Sequence, residues 1–364
     1  MGTTSSFFGG GGGSPLPEPE WLFQKSSYTY TFPYDGVVRV HVIGAGGSGA
    51  VQYQSYQCTG GGAGGYSRKQ FTVTSSTTAT VTTGVGGKGV GNGSANANGV
   101  AGTNSTFVLS STTLTANGGS AGLQYPGANA RAAGGAASGG DINYTGGSSG
   151  STNFQYNNQY NRATGGGGVN FFNLDVNGGD AKNGSQTIAT GGGGVGGKGG
   201  ESNNNTEFSA TGGGGSAGPA EDIANDGNVQ GRCSAGGQGG SRLFLFNGAF
   251  LDGVGGRGLM SHVTSGAGRI SSPTENIGIG AGSGGLIAIN DYTNEGAEGF
   301  TPMAGLFGGG GALASEGPGG MGGSASLGGG GGGAVTKVSS SSSLRRMSGA
   351  GGDGVVIIEY IERS

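Results

Sequence analysis

Few side chains in this chain belong to types that commonly do chemistry. There are two histidines, His41 and His262, which are too few for a histidine-built metal site. His41 falls in a predicted strand and His262 in a Ser/Gly loop, so neither predicts an acid–base pair in a pocket. Two cysteines, Cys58 and Cys233, cannot form a disulfide framework, and leave either one bridge or two free thiols. We expect no catalytic residue and no enzyme.

One motif imitates a dinucleotide-binding fingerprint. Gly44-x-Gly46-x-x-Gly49 follows a hydrophobic strand, as that fingerprint requires. The following residues do not form a helix pattern, and no acidic residue occurs between Asp35 and Asp141 to bind a ribose. In a chain with 95 glycines among 364 residues, chance matches are expected. The sequence therefore predicts no nucleotide and no other cofactor.

The acidic residues and the composition exclude further classes. Glu221, Asp222 and Asp226 could bind a cation with loop carbonyls, but a solvated acidic turn is the simpler interpretation, so we expect no metal. The net charge of −3 argues against a nucleic-acid partner. No apolar stretch approaches the length of a membrane span, so no membrane insertion is expected.

Aromatic residues interleaved with amides mark two inserts in the glycine-rich sequence. Tyrosine gives a large contact area at low entropy cost, and Asn or Gln adds adaptable hydrogen bonds. We interpret these inserts as recognition loops. The alternative is that their aromatic residues cap the ends of glycine helices and exclude water. The candidate recognition residues are Tyr53, Tyr56, Phe154, Tyr156, Tyr160 and Arg162.

Strand signals lie mostly near the two ends of the chain. They are runs of β-branched and aromatic residues between Gly, Ser and Asn. The strongest are Tyr28–Phe32, Val37–Ile43, Tyr66–Thr74, Thr77–Thr83, Thr106–Leu109, Thr113–Thr115 and Gly354–Ile361, and the weaker are Leu243–Phe246 and Leu286–Ile289. Strands so far apart in sequence predict a sandwich closed by its first and last strands.

The middle of the chain contains an array. Ala-Thr followed by four glycines starts at Ala163, Ala189 and Ala210, with inserts of unequal length between the copies. Elsewhere non-glycine residues recur every third position, as in Val195, Lys198 and Glu201, which is the period of polyproline II. Low-complexity disorder is the alternative for such a composition.

These patterns together predict an all-β protein with polyproline or polyglycine II segments and almost no α-helix. We expect a small jelly-roll-like β-sandwich, from about residues 28–116 and 353–362, with a large inserted bundle of glycine-rich helices at about 117–352. The glycine-rich domain would span 31–364.

Residues 1–30 predict an attachment arm. A glycine run is followed by a proline-rich stretch and an apolar cluster, which is typical of an extended docking segment. The alternative is a solvated leader packed loosely on the domain. The candidate docking residues are Pro15, Pro17, Trp21, Leu22 and Phe23.

The blocks Tyr28–Gly36, Val40–Gly47 and Gly351–Tyr360 resemble the opening and closing of glycine-rich domains in phage and bacterial surface proteins. The plan is similar to that of the glycine-rich region of the anaplastic lymphoma kinase receptor. The chain departs from that receptor by having no visible signal peptide and no cysteine framework. The resemblance therefore favours a phage virion protein of the tail-fibre or adhesin type, made in the reducing cytoplasm of the host.

We accordingly expect a non-enzymatic protein of the virion surface, in a tail fibre, tail tip or capsid decoration. Its arm would bind other virion proteins, and its loops would bind a host surface glycan or outer-membrane protein. A homotrimer is one possible assembly. A purely structural assembly or filament protein is the first alternative, and an extracellular glycine-rich signalling or binding domain is the second.

Overall fold

A computed structural model of the chain consists of β-strands and extended glycine segments. It describes residues 16–24, 26–53, 57–91, 96–124, 126–127, 129–152, 161–184, 187–204, 208–223, 232–238, 243–246, 249–251, 255, 259–263, 269–271, 281–290, 298–300, 303–315, 319–336 and 346–363. Over these residues there is no helix, and hence none long and apolar enough to cross a membrane. The all-β expectation is confirmed.

The strands are short apart from three of eight or nine residues. In chain order they are β1 (Glu20–Leu22), β2 (Tyr28–Thr31), β3 (Gly36–Ile43), β4 (Val51–Tyr53), β5 (Gln57–Cys58), β6 (Tyr66–Val73), β7 (Thr78–Thr82), β8 (Ser105–Leu109), β9 (Thr112–Ala116), β10 (Ala137–Ser138), β11 (Ile142–Tyr144), β12 (Asn161–Ala163), β13 (Ala181–Gly184), β14 (Thr187–Ala189), β15 (Ser202–Asn204), β16 (Phe208–Ala210), β17 (Arg232–Cys233), β18 (Leu243–Phe246), β19 (Ala249–Leu251), β20 (Leu259–Val263), β21 (Arg269–Ser271), β22 (Leu286–Asn290), β23 (Glu298–Phe300), β24 (Leu313–Ser315), β25 (Gly319–Met321), β26 (Ala334–Thr336), β27 (Arg346–Met347) and β28 (Val355–Arg363).

Two antiparallel sheets share the main apolar core. Sheet A has the order β1-β28-β3-β6-β11, and sheet B has the order β10-β9-β8-β7-β2. Their inward residues, among them Phe32, Val40, Phe107 and Ile358, form one buried cluster. Alternate residues of most of these strands are apolar and face this core. β28 is apolar on both faces, and its Val355 and Ile357 pack into a second buried cluster on the other side of sheet A. The last predicted strand, β28, pairs with β3 and β1, whereas the first predicted strand, β2, pairs with β7 in the other sheet. The expected closure by the first and last strands is therefore not confirmed.

The expected jelly roll is not confirmed. In sheet B the strands β7, β8, β9 and β10 are consecutive antiparallel neighbours, so the chain runs through them as a meander. The expected insertion of a helical bundle is not confirmed either, because the described part of residues 117–352 contains strands β10 to β27 and no helix.

The middle of the chain forms two parallel sheets that are built coil by coil. Sheet C has the order β17-β16-β14-β12-β5, and sheet D the order β20-β22-β24-β26-β4. Small residues lie between them, including Cys58, Ala163, Ala189, Ala314 and Val335, all fully buried. Strands β4 and β5, which come from the chain between β3 and β6, form one edge of each parallel sheet. The amino-terminal part of the chain thus begins sheet C beside β12, and it closes sheet D beside β26, the last strand of that sheet in chain order.

Glycine segments connect these parallel sheets to sheets A and B. Consecutive amides in one segment donate to three different neighbours: Gly166 to Gly310 at 2.9 Å, Gly167 to Gly61 at 3.1 Å and Gly168 to Val176 at 2.9 Å. Because three consecutive amides point in three directions, the backbone polar groups of the segment are hydrogen-bonded without belonging to a sheet. We call this region the glycine lattice, comprising residues 44–50, 59–65, 164–168, 190–194, 211–215, 281–285, 308–312 and 329–333.

The copies of the predicted Ala-Thr-Gly array are aligned with one another in the structure. Ala163, Ala189 and Ala210 lie side by side in β12, β14 and β16. The hydroxyl of Thr190 accepts from the amide of Gly165 at 3.1 Å, and Thr211 accepts from Gly191 at 3.2 Å. Each threonine therefore links one coil to the previous one.

Candidate binding surfaces

The unequal inserts enter the body at one edge. Strands β12, β14 and β16 are parallel, so they all begin at the same side of sheet C. Three residues, 54–56, join the end of β4 in sheet D to the start of β5 in sheet C. Strands of sheet D therefore end where those of sheet C begin, and we call this side the insert edge. The segments 54–56, 153–160, 205–207 and 337–345 all connect there.

The insert edge lies away from sheets A and B. Residues 44–50 lead from the end of β3 in sheet A to the start of β4 in sheet D, all through the glycine lattice. Seven extended residues span about 20 Å. Residues 59–65 return over the same distance to β6. The lattice thus separates the two antiparallel sheets from the insert edge.

The predicted recognition residues are placed in part by the structure. Tyr53 ends β4 at the insert edge, opposite Thr336. Four others lie outside the described residues: Tyr56, Phe154, Tyr156 and Tyr160. Arg162 is in β12 and fully buried, which corrects its assignment to an exposed loop. Its pairing with β5 and β14 on both sides takes it into the sheet.

A row of aromatic rings lies next to sheet A, where the amino-terminal arm meets the coils. The Phe23 and Trp21 ring centroids are 6.2 Å apart, and those of Trp21 and Phe307 are 6.1 Å apart. Phe307 contacts Phe171 edge to face at 5.0 Å, and Phe171 lies 6.3 Å from Phe172. Phe307 and Phe171 are buried, while Phe23 is 48% and Phe172 39% exposed. We call these five rings the aromatic row.

Other large apolar side chains are exposed on the two loops that supply the row. Leu174 is 46% and Met303 64% exposed. The amide of Val169 donates to the carbonyl of Phe307 at 2.8 Å, so the two loops are joined. Singly exposed apolar residues are common on protein surfaces, so the exposed rings at the two ends of the aromatic row, Phe23 and Phe172, are the stronger candidates for an interaction site.

The predicted docking segment is packed partly on the protein itself. Leu22 is buried in the core and cannot meet a partner from this position, which corrects that part of the prediction. Trp21 is half-buried against Phe307, and Pro17 is also half-buried. Pro15 lies outside the described residues. Phe23 remains available for docking.

A polar group that sequence reasoning missed is buried beneath the aromatic row. His41 Nδ1 lies 2.7 Å from the Tyr66 hydroxyl, and His41 Nε2 lies 3.2 Å from Glu359 Oε1, which also accepts from Arg39 at 2.7 Å. Desolvation lowers the pKa of His41 despite the Glu359 carboxylate, and burial raises the pKa of Tyr66. His41, Tyr66 and Glu359 are at most 3% exposed. This arrangement ties β3, β6 and β28 together through side-chain contacts.

Acidic and basic side chains alternate along the coils. Lys182 lies 3.3 Å from Asp180 and 2.9 Å from Glu201, and Lys198 lies 2.7 Å from Glu201 and 3.9 Å from Asp222. Desolvation opposes ionisation of Glu201, but hydrogen bonds from both lysines lower its pKa. Asp222 therefore belongs to an ion-pair row, and its predicted neighbour Asp226 lies outside the described residues. Within the described ranges no three potential metal ligands come together.

The glycines of the dinucleotide-like motif have their amides engaged in the lattice. Gly44 donates to Gly65 at 2.9 Å, Gly46 to Gly352 at 2.8 Å and Gly49 to Gly349 at 3.0 Å. A phosphate-binding loop needs amides that point at the ligand. These three are already satisfied by backbone carbonyls.

The two cysteines occupy equivalent positions at opposite ends of sheet C. Cys58 pairs with Ala163 in β12, and Cys233 pairs with Ala210 in β16. Four strand spacings of about 4.8 Å separate them by about 19 Å, far beyond disulfide range. No bridge therefore joins them. Burial raises the pKa of the Cys58 thiol, while Cys233 is exposed.

A family model described as a glycine-rich domain matches residues 23–259 of this sequence. The match covers more than half of the chain, and the chain belongs to that family. A comparison with curated proteins finds no match.

Proposed function

We propose that this glycine-rich domain protein is a non-enzymatic attachment protein on the surface of a bacteriophage virion. It would belong to a tail fibre, a tail tip or a capsid decoration. One end of the molecule would bind other virion proteins, and the other would present loops to a host surface glycan or outer-membrane protein.

The observation that carries this proposal is the separation of the two candidate surfaces. The arm and the aromatic row lie against sheet A, and the inserts join the body at the insert edge, with the glycine lattice between them. A docking surface and variable loops at opposite ends are what an attachment protein needs. Exposed Phe23 and Phe172 would serve the virion contact.

We also infer that the lattice is a polyglycine II array rather than a set of irregular loops. The three-way hydrogen bonding of Gly166, Gly167 and Gly168 supports this inference. Polyglycine II segments have three residues per turn and bond only to their neighbours. Such a lattice is rigid because each segment is held from several sides, which would keep the inserts in fixed positions.

The test is binding of the labelled full chain to a panel of candidate bacterial hosts. In one variant, residues 153–160 are replaced by a Gly-Ser linker of equal length, and in the matched control residues 337–345 are replaced in the same way. We expect binding to a host strain that the first variant loses. If a folded chain binds no strain, or binds equally after both replacements, attachment through this insert is refuted, and a purely structural assembly role replaces it.

A further inference from the structure

The outer face of sheet B is a regular array of hydroxyl groups. Outward positions of β2, β7, β8 and β9 are mostly threonines, alternating along each strand with core residues. We call this the threonine face; its members are Thr29, Thr31, Thr78, Thr80, Thr82, Thr106, Val108, Thr113, Thr115 and Ser138. All are exposed or half-buried.

The register of the strands places these side chains opposite one another. Thr29 pairs with Thr80, and Thr82 pairs with Thr106. Thr106 also pairs with Thr115, which pairs with Ser138 in β10. One row, Thr82–Thr106–Thr115–Ser138, therefore crosses the strands as an unbroken line of hydroxyls at about 4.8 Å intervals. The next row, Thr29–Thr80–Val108–Thr113, lies about 6.7 Å away and is interrupted by the methyl groups of Val108.

The hydroxyls of this face are available to a ligand. Over the described residues, none of its threonine hydroxyls makes a hydrogen bond within the protein. The backbone below them is already paired in the sheet, and threonine side chains are stiff at χ1. Each hydroxyl offers one donor and two acceptor sites in a nearly fixed position. Little side-chain conformational entropy is therefore lost on binding.

The chemistry of the face defines the class of ligand. Strands β2, β7, β8, β9 and β10 contain no Asp, Glu, Lys or Arg, whereas sheet A carries Arg39, Lys69 and Glu359. A charge-free face gives a polyanion or a polycation no advantage. Its outward residues include no aromatic ring on which a base could stack. Hydroxyls with interspersed methyl groups match a neutral polymer that repeats hydroxyls and C–H faces.

We propose that the threonine face binds a neutral, hydroxyl-rich polysaccharide. The ligand would lie along a hydroxyl row, exchange hydrogen bonds with it and cover the methyl groups of the threonines and Val108. Each contact is weak because water competes for it, and the repeat of the array provides the affinity. This inference goes beyond the proposed host attachment, because it uses sheet B and not the insert edge.

The test is electrophoresis of the full chain in native gels with and without dissolved dextran, amylose or hydroxyethyl cellulose. We expect at least one polysaccharide to retard the chain. The double variant Thr80→Val, Thr106→Val keeps the shape and charge of the face but removes two central hydroxyls. It should weaken the apparent affinity for the polysaccharide, measured from the retardation, about tenfold. The double variant to serine keeps the hydroxyls and should be retained. Thr72→Val, on an exposed position of sheet A, is the matched control.

The proposal is overturned if no polysaccharide retards the folded chain, or if the valine variant is retarded as strongly as the original. It is also overturned if Thr72→Val loses as much retention as the double variant. Host-cell binding that disappears with residues 153–160 while polysaccharide retention persists would separate this site from the insert edge.

Discussion

Gly166→Ala is expected to open the glycine lattice at its centre. A Cβ at this position would lie 2.0 Å from the carbonyl oxygen of Gly330, against an ordinary contact of 3.4 Å or more. The obstructing atom belongs to a backbone, so no side chain can rotate away. The two segments must separate, and this strains the bonds from Gly166 to Gly310 and from Gly330 to Gly167, both 2.9 Å long.

The expected loss of stability follows from those contacts. Overpacking a close-packed site costs about 1–3 kcal/mol. A buried backbone group left without its partner costs about 1–3 kcal/mol more. We therefore expect Gly166→Ala to reduce the free energy of unfolding by about 2–6 kcal/mol. For a chain of 364 residues the usual unfolding entropy makes 1 kcal/mol worth about 1.3 °C, so Tm should fall by about 3–8 °C.

Thermal unfolding followed by tryptophan fluorescence measures this effect, since Trp21 is the single tryptophan and stacks on Phe307. Gly218→Ala is the control, because a Cβ at Gly218 would meet no atom within 4 Å. It should leave Tm within about 1 °C. If Gly166→Ala melted at the same temperature as Gly218→Ala, close backbone packing would not be what requires glycine in the lattice.

Three further outcomes are expected. Thr190→Val, which leaves the amide of Gly165 without an acceptor, should lower the free energy of unfolding by about 1–3 kcal/mol in urea titrations, whereas Thr72→Val on the surface should change it by less than about 0.5 kcal/mol. Desolvation lowers the pKa of His41 in the folded chain, so the unfolded chain binds the extra proton; stability should fall as pH drops below about 6.5, and His41→Gln should flatten this dependence of Tm on pH. Cys58 should resist a thiol reagent until the chain unfolds, because it is buried and its pKa is raised; rapid labelling of Cys58 in the folded chain would contradict the structure of sheet C.

Sequence patterns located seven of the ten strands of sheets A and B, and missed the short strands β1, β10 and β11. Val37–Ile43 and Gly354–Ile361 are long runs of β-branched residues, and the structure has strands β3 and β28 there. Such runs are β-formers whatever they pair with. β1 was not predicted, because its three residues follow prolines and form a strand only by pairing with β28.

Most strands of the parallel sheets could not be found in the same way; the exception is the predicted Leu286–Ile289, which lies in β22. Asn161–Ala163 and Thr187–Ala189 are three-residue strands with no alternation of their own. Their pairing partners lie a whole coil away, so the stabilising contacts are invisible to a local pattern. The Ala-Thr-Gly repeat did indicate the coils. Strands β24 and β26 of sheet D were missed because their glycines precede the strand, before Leu313 and Ala334, instead of following it.

The candidate sites, too, were only partly visible in the sequence. Phe23 was recognisable as an exposed apolar residue after a proline-rich stretch, but Phe171 and Phe307 join it from loops that are far away in sequence. The threonine face was visible only as β-propensity. Its meaning depends on the register that sets Thr80 beside Thr29, which no single strand contains. Both surfaces arise because the topology brings these residues together, and their residue types alone did not reveal this.

The array explains how unequal inserts and one fixed lattice can coexist. Ala163, Ala189, Ala210 and Cys233 hold the same register although the intervals between them are 26, 21 and 23 residues. What repeats is the strand and the glycines after it, where the hydrogen bonds between coils are made. An insert adds only loop-closure entropy, about 0.6 kcal/mol for each doubling of its length. Sequence can therefore change at the insert edge at little cost in stability, while a single added methyl group within the lattice is expected to cost several times more.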